Sequence, residues 1–252
     1  MTRRKRLTAL LALMVLAPPA LAEDRLDGLQ IGTGEAVTIV MFHGDEGRGG
    51  DVSANFAFGA EIARRLPDAT IHMLLRPGYE DPWGRRSPGE NFGRRDQYTL
   101  ENAALIAANL RRLRGDAPLI AVGHSGGAAQ LALALSLDEG AVDEAILVAC
   151  PCDLAMWREM NPDWPEGTLT RSVSATAVAA PTAARITLIT GEADTVTPAP
   201  LAESYARHVQ EAGGMADLRI VPGGDHAGNR ALSGEWLGAI FSARERVLTD
   251  ER

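Results

Sequence analysis

Apolar runs of strand length recur along this chain, and longer segments with helical character separate them. Val37-Thr38-Ile39-Val40-Met41-Phe42 is continuous, apolar and rich in β-branched residues, the pattern of a strand buried on both faces. Further strands are predicted at Thr70 to Leu75, Ala117 to Val122, Ala145 to Ala149, Arg185 to Thr190 and Asp217 to Val221, with a shorter candidate strand at Gly28 to Ile31. Between them, helices are predicted from Ser53 to Leu66, Thr99 to Arg114 (ended by Gly115), Gly126 to Leu137, Ala199 to Glu211 and Arg230 to Arg246. Residues 76–98 read as a long loop, and residues 153–184, with three prolines, as an irregular cap segment. Strands alternating with helices predict an α/β fold: a mostly parallel sheet covered by helices on both faces. With neither repeat nor low-complexity linker, residues 23–252 read as one domain.

The stretch Gly123-His124-Ser125-Gly126-Gly127 joins the central strand to an Ala/Leu-rich helix. Glycines on either side let strand and helix pack closely enough to force Ser125 into a positive-φ conformation. Its hydroxyl would then stand above the sheet, with a helix N-terminus beneath it to favour negative charge. The bland alternative is a helix-capping serine.

Sites in open α/β sheets form beyond the carboxyl ends of the strands. Four such ends carry chemistry here: His43-Gly44-Asp45, Ser125, Asp194 in Gly191-Glu192-Ala193-Asp194, and His226 in Gly224-Asp225-His226. Asp153 is the alternative acid, while His72 and His208 read as packing or solvated positions. The order Ser125, Asp194, His226 is that of the α/β-hydrolases. With Arg76-Pro77-Gly78-Tyr79 and Pro198 of the acid loop, residues from about 36 to 243 resemble that superfamily. Within it they are similar to dienelactone-hydrolase-like enzymes and to the catalytic domain of prolyl-oligopeptidase-type peptidases. The chain is too short to hold the propeller of full prolyl oligopeptidases.

The resemblance implies Ser125 as nucleophile, His226 as base and then acid, and Asp194 as the group that orients the imidazole. It also implies backbone N–H groups of Gly126 and Asp45 as the oxyanion hole. A carboxylate at position 45 would oppose the charge developing there, so its side chain is expected to turn away. Tyr79, His124 and Trp157 are the candidates to touch substrate, and Trp157, Met160 and Trp164 could either wall the site or pin the cap segment. His43 reads as a structural neighbour. Arg76, Arg85, Arg86, Arg94 and Arg95 could bind a substrate carboxylate or phosphate, but the acids interleaved with them favour self-paired surface charge.

Composition adds the compartment. Arg3, Arg4, Lys5 and Arg6, an apolar stretch from Leu7 to Leu16 and Ala20-Leu21-Ala22 form the pattern of a cleavable export signal over residues 1–22. The apolar stretch is short for a membrane span. Without residues 1–22, Lys+Arg falls from 25 to 21 against 33 acids, and the net charge moves from −8 to −12. Such an acidic chain is a poor partner for nucleic acid or an anionic membrane surface. Cys150 and Cys152, the only cysteines, could be a disulfide, two structural thiols or a redox pair. Neither a metal nor a cofactor is implied.

These features predict an exported serine hydrolase acting on a small carboxylic ester or a short peptide, with no stable membrane insertion and no oligomeric state specified. A peptidase, a non-catalytic binding protein on the same scaffold and a redox protein using the cysteines stand as alternatives.

Overall fold

The computed structural model describes residues 24–45, 52–94, 97–163, 170–180 and 182–249. The expected export signal over residues 1–22, Trp164 and Arg95 lie outside these residues, as does the side chain of Arg94.

Among these described residues seven strands form one sheet: β1 (Gly28–Ile31), β2 (Val37–Phe42), β3 (Ala69–Leu74), β4 (Leu119–His124), β5 (Glu144–Val148), β6 (Arg185–Gly191) and β7 (Met215–Val221). Their order is β1-β3-β2-β4-β5-β6-β7. Only β1 runs antiparallel, against β3, and every other pairing is parallel. The chain passes from β2 to β3 on one side and then returns to place β4 on the other side of β2. That reversal opens a crevice at the carboxyl ends of β2 and β4.

Among the described residues six α-helices cover the sheet: α1 (Ser53–Arg65), α2 (Leu100–Leu113), α3 (Gly126–Leu137), α4 (Leu154–Met160), α5 (Ala199–Glu211) and α6 (Arg230–Thr249). Side chains alternate along a strand, so the central strands feed two cores. Val40, Phe42, Ala121, Leu147 and Leu188 pack under α2, α3 and α5. Ile39, Met41, Ile120, Val122, Ile146 and Ile189 face α1 and α6. This double burial is why the strands read as continuous apolar runs rather than alternating ones. Helix α3 is buried from Gly126 through Leu135, and it lies between the sheet and α2. A helix enclosed in this way has no use for a polar stripe.

Two local expectations need correction. The segment 153–184 is not wholly irregular, because α4 forms within it, followed by a 3₁₀ turn at Ala175–Val178. Asp153 caps α4 by accepting the Met156 N–H at 3.1 Å. Helix α2 ends at Leu113 without a left-handed glycine, since its C-cap is Arg114 in an extended conformation. Cys150 and Cys152 are joined in a disulfide, buried just beyond β5, which removes the free-thiol alternative. Far from the crevice, Glu144 at the start of β5 is held by Arg246 of α6 through two contacts of 2.6 Å.

Candidate active site

Ser125 sits at the apex between β4 and α3 with φ 49° and ψ −120°, and its N–H donates to the Val148 carbonyl at 2.8 Å. The turn is tight because there is no room for side chains around it. A Cβ on Gly123 would come within 2.6 Å of the Ala128 backbone, and one on Gly127 would overlap the backbone oxygens of Phe42 and His43. These contacts press the helix start against β2 and force the serine out over the sheet.

The Ser125 hydroxyl lies 3.1 Å from Nε2 of His226. On the far side of the ring, Nδ1 lies 3.0 Å from Oδ2 of Asp194. Three side chains from separate strand ends therefore form one hydrogen-bonded line. Asp194 is fixed in turn by the N–H groups of Val196 (2.9 Å) and Thr197 (2.8 Å) and by the Thr197 hydroxyl (2.7 Å). Burial pushes the Asp194 carboxyl up, but His226 and the Thr197 donors outweigh it and bring it down to about 2. The alternative acid, Asp153, is engaged elsewhere: besides capping α4, it accepts the Ser204 hydroxyl at 2.8 Å.

His124 is buried beside this line. Its Nε2–H donates to the His226 carbonyl at 3.0 Å, and its ring stacks on Trp236 at 5.5 Å. Burial, followed by repulsion from His226, pushes its imidazole down to about 4. It is therefore a neutral prop for the His226 loop that also faces the cavity.

The Asp45 carboxylate accepts from Nη2 of Arg76 and from the Tyr98 hydroxyl. It makes no hydrogen bond to Ser125, yet it does not turn wholly away. A Cβ on Gly126 would overlap Asp45 Oδ1 and come within 2.7 Å of Arg76 Nη1. The ion pair thus fills the space beside the start of α3, and a side chain at position 126 would have to displace it. The Gly126 N–H is one of the donors at the helix start that lack an intrahelical acceptor.

Two expected substrate contacts are corrected. Tyr79 is fully buried; its hydroxyl accepts from Arg76 at 2.7 Å and donates to Gln97 at 2.8 Å, so it braces the loop behind Asp45. Trp157 does not line the cavity and instead donates its indole N–H to the Val196 carbonyl at 2.9 Å, tying α4 to the acid loop. Two of the described arginines are engaged within the protein. Arg76 is wholly buried, and Arg85 pairs with Asp81 at 2.6 Å. His43 accepts the Arg76 N–H at Nε2, as a structural neighbour would.

The cavity above Ser125 has a volume of about 420 Å³. Asn55 and Phe58 of α1 and Ser233 and Trp236 of α6 form walls the sequence had not suggested, with Phe58 and Trp236 in contact at 4.6 Å between rings. The available clue was positional: α1 follows the Asp45 loop and α6 follows the His226 loop, so their first two turns border the site. Among the described residues no cluster of His, Cys, Asp or Glu could hold a metal ion, and no helix is long and apolar enough to cross a membrane.

A sequence model of the alpha/beta hydrolase family matches residues 39–219. The chain belongs to the alpha/beta hydrolase family. The fold recurs in solved structures of low identity. Esterase PE8 is 17% identical, with a TM-score of 0.60 over 87% of this chain and 99% of that one. The monoacylglycerol lipase of Paleococcus ferrophilus is 15% identical, with a TM-score of 0.61 over 90% and 100%. A puromycin-hydrolyzing peptidase of Mycobacterium tuberculosis is 18% identical, with a TM-score of 0.63 over 88% of this hydrolase but 35% of the peptidase. No curated protein matches the sequence. In this alpha/beta hydrolase Ser125, Asp194 and His226 stand just beyond strand ends, and residues of α1 and α6 line the cavity beside them.

Proposed function

We propose that this chain is an exported serine hydrolase that cleaves small carboxylic esters through an acyl-enzyme. The observation that supports it most is the line Ser125–His226–Asp194, with steps of 3.1 and 3.0 Å, ending on a serine with positive φ.

In the reaction, Ser125 Oγ attacks the ester carbonyl while its proton passes to His226 Nε2. Asp194 holds Nδ1–H and stabilises the imidazolium that forms. The carbonyl oxygen takes up the negative charge, received by the N–H groups of Gly126 and Asp45. As the carbon–oxygen bond breaks, the Nε2 proton goes to the departing alcohol. Water then attacks the acyl-enzyme, losing its proton to Nε2, and Ser125 recovers its hydrogen as the acid leaves. Esters are preferred because an alkoxide leaves with less protonation than an amine, and because two of the three similar structures named above are an esterase and a lipase. The basic, apolar, small-residue start of the sequence supports export.

A panel of acyl esters and aminoacyl amides tests this reading, with Ser125→Ala as the control. Ester turnover should exceed amide turnover, and Ser125→Ala should lower it about 10⁴-fold or more. Amides cleaved as fast as esters would overturn the ester preference, and activity surviving in Ser125→Ala would overturn the mechanism.

A further inference from the structure

Asp45 lines the cavity, and acyl transfer as described above makes no use of its carboxylate. Its side chain is 33% exposed, whereas its counter-ion Arg76 is 0% exposed. Arg76, Tyr98 and Tyr79 all reach Asp45 from the protein side, and both tyrosines are buried. The pair is thus oriented, with its negative end toward the substrate and its positive end sealed beneath. Among the described residues, neither arginine nor lysine lines the cavity, and His124, buried and stacked on Trp236, is neutral near pH 7.

We propose that Asp45 acts as a charge filter, so that the site takes neutral or cationic acyl groups and rejects those that carry a carboxylate close to the scissile bond. The proposal rests on the ester-hydrolase reading and narrows its substrate class. An incoming carboxylate would approach Asp45 across a partly dehydrated cavity, where like charges repel more strongly than in water. Arg76 opposes that repulsion only in part, because it is sealed in the protein while the Asp45 side chain is partly exposed. Asp45 would then serve twice, its N–H toward the oxyanion and its side chain toward the rest of the acyl group.

The test uses three esters with one leaving group and acyl chains of equal length ending in methyl, trimethylammonium or carboxylate. The neutral and cationic esters should be cleaved with kcat/KM about tenfold or more above the anionic one. Raising the ionic strength to about 1 M should shrink that ratio in the unaltered protein. Asp45→Asn should bring the three within about threefold of one another. An anionic ester cleaved as well as the neutral one, or a preference that neither salt nor Asp45→Asn alters, overturns the filter. Failure of the hydrolase reading would look different: none of the three esters turned over and Ser125 unreactive.

Discussion

Thr197 is the residue on which the acid side of the site turns. Its N–H and hydroxyl both donate to Asp194, and its oxygen lies 3.0 Å from His226 Nδ1. The folded-state pKa of Asp194, about 2, is below the ordinary aspartate value of about 3.9. Its ionised form therefore stabilises the fold at pH above about 4, and that contribution is lost as pH falls toward 2. Thr197→Val removes one donor and should raise the folded pKa, leaving Asp194 a smaller contribution that disappears at higher pH. Urea midpoints measured between about pH 2 and 6 would show it, with Thr197→Ser close to the parent. A valine variant with an unchanged acid profile would mean that the hydroxyl does not hold the carboxylate. Ser125, Asp194 and His226 were legible in the sequence because each follows a strand and sits among turn-forming residues. Thr197 and Tyr98 were not, since a hydroxyl acquires its role only from the partner the fold brings to it. For Tyr98 that partner, Asp45, is 53 residues away.

Among the elements, the β4–α3 elbow holds Ser125 at positive φ where the chemistry would occur. Replacing Gly127 with alanine sets a methyl against the Phe42 and His43 carbonyls, backbone atoms that cannot swing aside. We expect Gly127→Ala to cost at least about 2 kcal/mol and to lower the yield of folded protein. Thermal unfolding beside an exposed control such as Gly140→Ala, where a Cβ meets nothing, would check it. Equal midpoints for the two variants would remove the strained-elbow argument. The elbow was readable because glycine on both sides of a serine has few other uses between a strand and a helix. Helix α4 was not, because seven residues give too little periodicity against the prolines that follow. Its N-cap aspartate was the one available clue.

At the scale of the whole molecule, the parallel centre of the sheet, β2 with β4 to β6, was legible from apolar runs, because burial on both faces leaves little polar alternation. The walls contributed by α1 and α6 were not, because they depend on how helices dock over the crevice. The disulfide too needed coordinates, since spacing alone left Cys150 and Cys152 open between thiols and a bridge. What joins these scales is the claim that the fold activates Ser125. Reaction of the folded protein with a fluorophosphonate, followed by mass spectrometry, tests it most directly. One adduct per chain, located on Ser125 and slowed about 10³-fold or more in His226→Ala, is the predicted result. An unlabelled Ser125, or labelling that His226→Ala leaves untouched, would contradict the account.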